Sequence, residues 1–209
     1  MRIRLWLLAA AATVAACQTT SPTLNTAGSP TVELDPGTRG PVAGVGIEGH
    51  DIISMTDRMI RDMLTEPRLA AAERPPQVII DSAYFENESS QRLNKNAITD
   101  RLRVGLNRAA KGRMVFVARH QAAMVAQERE LKREGVVDRG TTGLTRAQAG
   151  ADYRLGGRIV SIDSRDTRTG MIQRYNQITF EMIDLERGEI VWSGIYEFSR
   201  AAADDIVYR

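Results

Sequence analysis

Between Tyr153 and Phe198 the chain alternates apolar and polar residues with a period of two, in three runs broken only by turn residues. Such alternation is the signature of strands with one buried face. The runs are Tyr153–Asp163, Ile172–Leu185 and Glu189–Phe198, with Ile178, Phe180 and Met182 sharing one face. Arg165–Gly170 and Glu186–Gly188 supply the turns. Three strands joined this tightly form an antiparallel meander, and its apolar face demands a cover.

The cover comes from upstream, where the period changes to that of a helix. Ile52, Met55 or Thr56, Met59, Ile60, Met63 and Leu64 recur at three- and four-residue spacing from Asp51, and Pro67 ends that run. Gln77–Asp81 is a short apolar run of strand length behind Pro75-Pro76, and residues 86–96 are almost wholly polar, which predicts an exposed loop. Asn96 is a natural N-cap for a helix that turns Ile98, Leu102, Leu106 and Ala109 inward and stops at Gly112. Met114–Val117 reads as a strand. A third helix, Gln121–Glu134, would turn Met124, Gln127 or Glu128, and Leu131 inward, with Glu128/Lys132 and Arg129/Arg133 solvated. Residues 136–143, with Asp138, Gly140 and Gly143, read as loop; Thr145 caps a short turn closing at Gly150, and Ala201–Arg209 reads as a brief helix or coil. The expected fold class is α/β (α+β): one domain, a mixed and mostly antiparallel sheet with helices packed on it.

The N-terminus sets the compartment. Arg2 and Arg4 precede about ten apolar residues, and Val14-Ala15-Ala16 leads into Cys17, the only cysteine of the 209-residue chain. That is the layout of a signal peptide ending in a lipobox. Half the ~20 residues of a membrane span are present, so residues 1–16 are expected to be removed and Cys17 acylated. Gln18, rather than an aspartate, follows it and favours the outer membrane. More than one acyl chain makes such an anchor durable. Residues 17–46 hold Pro22, Pro30, Pro36 and Pro41 among Thr, Ser and Gly and few apolar side chains, so they read as a flexible tether. Its ~28 residues reach roughly 90–100 Å stretched and about 30 Å relaxed. Residues 47–209 form the globular part, with no disulfide to brace it.

Charge argues against a nucleic-acid partner. Losing the leader removes two arginines and no acids, leaving 26 basic against 26 acidic residues. Chemistry-bearing residues are sparse. His50 and His120 stand apart, no nucleophile elbow is present, and acylation takes Cys17 out of thiol chemistry. His/Cys metal ligands are too few, Gly44-Val-Gly46 precedes no strand–helix phosphate cradle, and the acid pairs are Asp163/Asp166 and Asp204/Asp205. No cofactor or catalytic set is expected. Surface candidates remain: Arg165, Arg168 and Arg174 with Tyr175 around the first meander turn, arginine and tyrosine being enriched at binding hot spots. A second is the polar loop with Asn87, Ser89, Ser90 and Gln91.

Three stretches carry a family resemblance. Ile-Ile-Asp-Ser-Ala-Tyr-Phe-Glu-Asn-Glu-Ser-Ser-Gln-Arg-Leu-Asn-Lys-Asn (79–96), Gly-Thr-Thr-Gly-Leu-Thr-Arg-Ala-Gln-Ala-Gly-Ala-Asp-Tyr-Arg-Leu-Gly-Gly-Arg (140–158) and Asp-Leu-Glu-Arg-Gly-Glu-Ile-Val-Trp-Ser-Gly (184–194) resemble the LpoB family of outer-membrane lipoproteins. The resemblance implies a domain related to the N-terminal domain of TolB-type and curli-secretion lipoproteins. It also implies non-enzymatic stimulation of a bifunctional class A penicillin-binding protein in peptidoglycan synthesis, by docking on an accessory domain of that synthase. The rival expectation is a structural or secretion-accessory lipoprotein that assembles with itself or an outer-membrane channel.

Overall fold

The structure, a computed structural model, describes residues 27–28, 30–70, 73–137, 147–203 and 206–208. Cys17 and its leader, Asp138, Gly140, Gly143, Thr145, Asp204 and Asp205 lie outside the described residues. Contacts divide the chain into Met1–Glu33 and Leu34–Arg209. In the first, Pro30–Glu33 is exposed and without regular structure; every helix and strand among the described residues belongs to the second.

Among the described residues five strands form one sheet in the order β2-β1-β3-β4-β5. They are β1 (Gln77–Glu88), β2 (Val115–Phe116), β3 (Tyr153–Arg165), β4 (Met171–Asp184) and β5 (Ile190–Ala203). β1 runs parallel to β2 and β3, whereas β3–β4 and β4–β5 are antiparallel with long registers, unbroken in β3–β4 and shifted in β4–β5 only between Met182 and Ile183. The sheet is mixed, and the meander is its larger half.

Helices α1 (Gly49–Met63) and α3 (Lys95–Ala110) cover one face. α1 is amphipathic as its spacing predicts: Met55, Met59 and Met63 are buried, with Ile52, Ile60 and Leu64 packed beside them. They meet Ile98, Leu102 and Leu106 of α3 and Phe85, Leu155, Ile159, Ile178, Phe180 and Met182 of the sheet in one apolar core. Each such side chain fully withdrawn from water contributes ~1.5–3 kcal/mol. Phe85 stacks on Phe180 with ring centroids 5.1 Å apart, and it lies where a Cβ on Gly157 would be. The stack thus requires glycine at that position.

Several boundaries differ from the sequence reading, each for a local reason. Pro67 opens a one-turn helix, α2 (Pro67–Ala70), that buries Leu69, because proline suits a first helical position. β1 does not end at Asp81. A bulge between Ile80 and Phe85 resets its register, and Glu86, Asn87 and Glu88 pair with Arg158, Ile159 and Val160. Polar side chains suit this half, because Glu86 and Glu88 flank Arg158 on a solvent-exposed face. The N-cap of α3 is Asn94, not Asn96: its Oδ1 accepts from the N–H groups of Asn96 and Ala97. Ala110, rather than Ala109, reaches the core, and Lys111 ends the helix in the left-handed region at φ 48°. α4 (Ala122–Glu134) follows a 3-10 turn at Arg119–Gln121 and buries none of its residues. Met124, expected inward, is 60% exposed, for α4 rests on the irregular segment leading to β3 instead of on the sheet. Gln148 Nε2 donates to Ala122 O, and Arg119 Nη2 to Ala149 O. Finally, β5 continues to Ala203, since Ala201, Ala202 and Ala203 extend the ladder opposite Gln173, Ile172 and Met171.

Candidate partner-binding surface

The β3–β4 turn is built by one aspartate. Asp166 Oδ1 accepts from the N–H of Arg168 (2.9 Å) and of Thr169 (3.4 Å), and Oδ2 from the Thr169 hydroxyl (2.8 Å). These bonds, the Arg168 N–H first, hold its carboxyl below the usual carboxylate range. Gly170 closes the turn at φ +72°, a conformation glycine adopts without a Cβ penalty. The side chains of Arg165 and Arg168 are left exposed at the tip, without an ion pair among the described residues.

Arg174 behaves differently. It stands directly across the ladder from Asp163, and its Nε and Nη2 meet Asp163 Oδ1 and Oδ2 at 2.6 and 2.7 Å. This fork lowers the Asp163 pKa, chiefly through the hydrogen bonds from Arg174. Tyr175 is the next residue and so points to the opposite face. Its hydroxyl donates to Glu197 Oε2 at 2.7 Å, which raises the phenol pKa.

The polar stretch after β1 folds back on itself. Asn87 Nδ2 donates to Gln91 O (2.8 Å), its Oδ1 accepts from the N–H and hydroxyl of Ser89, and Ser90 N–H donates to Ser161 Oγ (3.0 Å). Gln91 is buried, 8% exposed. Its Oε1 accepts from Ile47 N–H at 2.8 Å and its Nε2 donates to Ile47 O at 2.9 Å, so the amide pairs with a backbone unit 44 residues away.

That pairing belongs to a strap absent from the sequence reading. Residues 44–47 are buried at the end of the sheet beyond α1. Asn176 Nδ2 donates to Val45 O, Arg200 Nη1 donates to Gly46 O, and Tyr208 Oη accepts from Gly46 N–H. Below the strap, Arg200 grips the buried Asp51 with contacts of 2.6 and 2.9 Å. Glu48, His50 and Asp51 present ligand atoms within 4.8 Å of one another. Yet the Arg200 guanidinium stands 2.6 Å from Asp51 Oδ1 and 3.1 Å from His50 Nε2. A fixed positive charge already fills the place a metal cation would take, so the group is an ion-pair hub. No short motif could reveal it, because Asp51 and Arg200 are joined only by the fold. His120 sits exposed in the 3-10 turn. No helix among the described residues is long and apolar enough to cross a membrane.

The family model described as peptidoglycan-synthase activator LpoB matches residues 51–198, from the first turn of α1 almost to the end of β5. The chain belongs to the LpoB family. No curated protein matches it. Among solved structures, the LpoB C-terminal domain of Escherichia coli is similar at 20% identity, covering 72% of this chain and 99% of that one with a TM-score of 0.43. The Salmonella enterica LpoB C-terminal domain gives 19%, 71%, 98% and 0.41. Lipoprotein GNA1162 of Neisseria meningitidis gives 17%, 61%, 85% and 0.31. The LpoB match contains all three stretches that carry the sequence resemblance, 79–96, 140–158 and 184–194.

Proposed function

We propose that this LpoB-family chain is an outer-membrane lipoprotein, acylated at Cys17, that binds a class A penicillin-binding protein and raises its activity without chemistry of its own. The match across residues 51–198 carries this reading, since its family is one of peptidoglycan-synthase activators. Stimulation by binding requires that the activator prefer the synthase's active state over its resting state. The globular domain faces the periplasm on its tether, and no cofactor takes part.

In this reading Arg165 and Arg168 make the contact. They stand on a turn fixed by Asp166 and spend their charge on no partner among the described residues. Arg174, Asn87, Ser89 and Gln91 shape the surface around them, and Tyr175 contributes from the opposite face. Immobilised class A synthase titrated with the protein tests it. Arg165→Glu with Arg168→Glu should weaken affinity by about tenfold or more, as for charge reversal at an interface rim. Unchanged affinity would remove the turn from the interface.

A further inference from the structure

β5 is the last strand of the sheet, and among the described residues its outer edge has no strand beside it. Natural edges are commonly guarded by lysine, proline or inward charges. Ile190–Ile195 (Ile-Val-Trp-Ser-Gly-Ile) contains none of these; its one guard is a bulge, where the register shifts between Met182 and Ile183. Ile190 and Ile195 are 54% and 46% exposed. The edge is also walled. At Gly194 a Cβ would collide with Met59 and Trp192, so α1 lies close against the strand, and Trp192 Nε1 ties the two together through Asp62 Oδ2 at 2.9 Å. Between wall and edge runs a groove of about 490 Å³ that reaches Arg58, Arg61, Ser193 and Ile195. It continues into a second hollow of about 380 Å³ toward Ile190, with Asp62, Thr65 and Ser193 common to both.

We propose that this edge takes an extended, acidic peptide segment of a partner protein as a sixth strand, with Arg58 and Arg61 of α1 receiving its carboxylates. Strand addition draws its affinity from main-chain hydrogen bonds and its selectivity from pockets for alternate side chains. Six edge residues span about 20 Å, which suits a segment of similar length. The charge at the Ile195 end selects the occupant: Arg58 and Arg61 are exposed and have no ion pair among the described residues, Asp62 is engaged by Trp192, and Glu66 lines only the hollow toward Ile190, where it accepts from the Arg68 N–H. Ile195, which follows Gly194 and so faces away from α1, offers an apolar seat to the segment's alternate side chains on the other face. The groove lies at the opposite end of β5 from the β3–β4 turn, since Ile183 pairs with Ile190 and Met171 with Ala203. It can therefore be occupied independently of the contact made by Arg165 and Arg168.

The test titrates the full chain, in detergent, into a capped fluorescent peptide of alternating valine and glutamate, read by anisotropy. Saturable binding is expected, weakened about tenfold when glutamine replaces the glutamates or when Arg58→Glu and Arg61→Glu are introduced together. Two N-methylated peptides separate strand addition from simple charge attraction. Alternate N–H groups face the neighbouring strand, so methylation in one register should abolish binding and in the other preserve it. Arg165→Glu with Arg168→Glu should leave the titration unchanged. Absence of binding, equal effects of both methylation registers, or indifference to the α1 charges would overturn the proposal. So would a self-association of the chain that Ile195→Lys abolishes and the peptide cannot displace, which would give the edge to a second copy.

Discussion

Gln91 shows how a polar side chain in a polar run can be structural. Its neighbours Glu88, Ser89 and Ser90 suggest a solvated loop, but its amide completes both backbone bonds of Ile47 inside the molecule. Gln91→Ala strands a buried donor and a buried acceptor, so unfolding stability should fall by about 2 kcal/mol or more. Urea denaturation followed by circular dichroism reads this directly; an unmoved midpoint would show that the strap does not depend on the amide. Side-chain type cannot foretell such a role, because the partner is a backbone group distant in sequence. The α3 cap was nearer to being legible. Asn94 and Asn96 are equally good capping residues, and the point where the chain turns into the helix selects Asn94. At the β3–β4 turn, proximity in sequence grouped Arg174 with Arg165 and Arg168, although Asp163 across the ladder holds it.

Among the elements, strands with one buried face were the easiest to read. Ile178, Phe180 and Met182 are all fully buried, because period two assigns a face without knowledge of the neighbouring strand. β1 was read only as far as Asp81, since its second half lies beside Arg158 with charged residues facing solvent. α4 is the opposite case: apolar residues at helical spacing are not buried, as no layer of the described residues lies over them. Met124→Ala should therefore change stability by no more than about 0.5 kcal/mol, whereas Met59→Ala in α1 should cost about 2–5 kcal/mol. Thermal melts of the two variants check the contrast. A large loss at Met124 would mean that α4 is packed against something in solution.

Across the whole molecule, the residues that are easiest to see in the sequence and those that hold the structure divide the work. Long registers between β3, β4 and β5 make the sheet, α1 and α3 seal one face, and the strap of residues 44–47 is fastened to the sheet by Asn176 and Arg200 and to the flanking segments by Gln91 and Tyr208. The proposed activator needs such a fastening, because binding at one surface must act on a synthase while the chain is held at its N-terminal end. Membership of the LpoB family was legible through long runs of residues, and the fold class through periodicity. The strap and its ion-pair hub were not, since each of their contacts joins residues remote in the chain.

The most direct measurement is glycan polymerisation and peptide cross-linking by class A synthases of the same organism, with and without the full chain. The proposed function predicts that at least one of the two rates rises with at least one synthase. It further predicts that Arg165→Glu with Arg168→Glu removes that rise while the melting temperature stays unchanged. No increase in either rate with any class A synthase would contradict it.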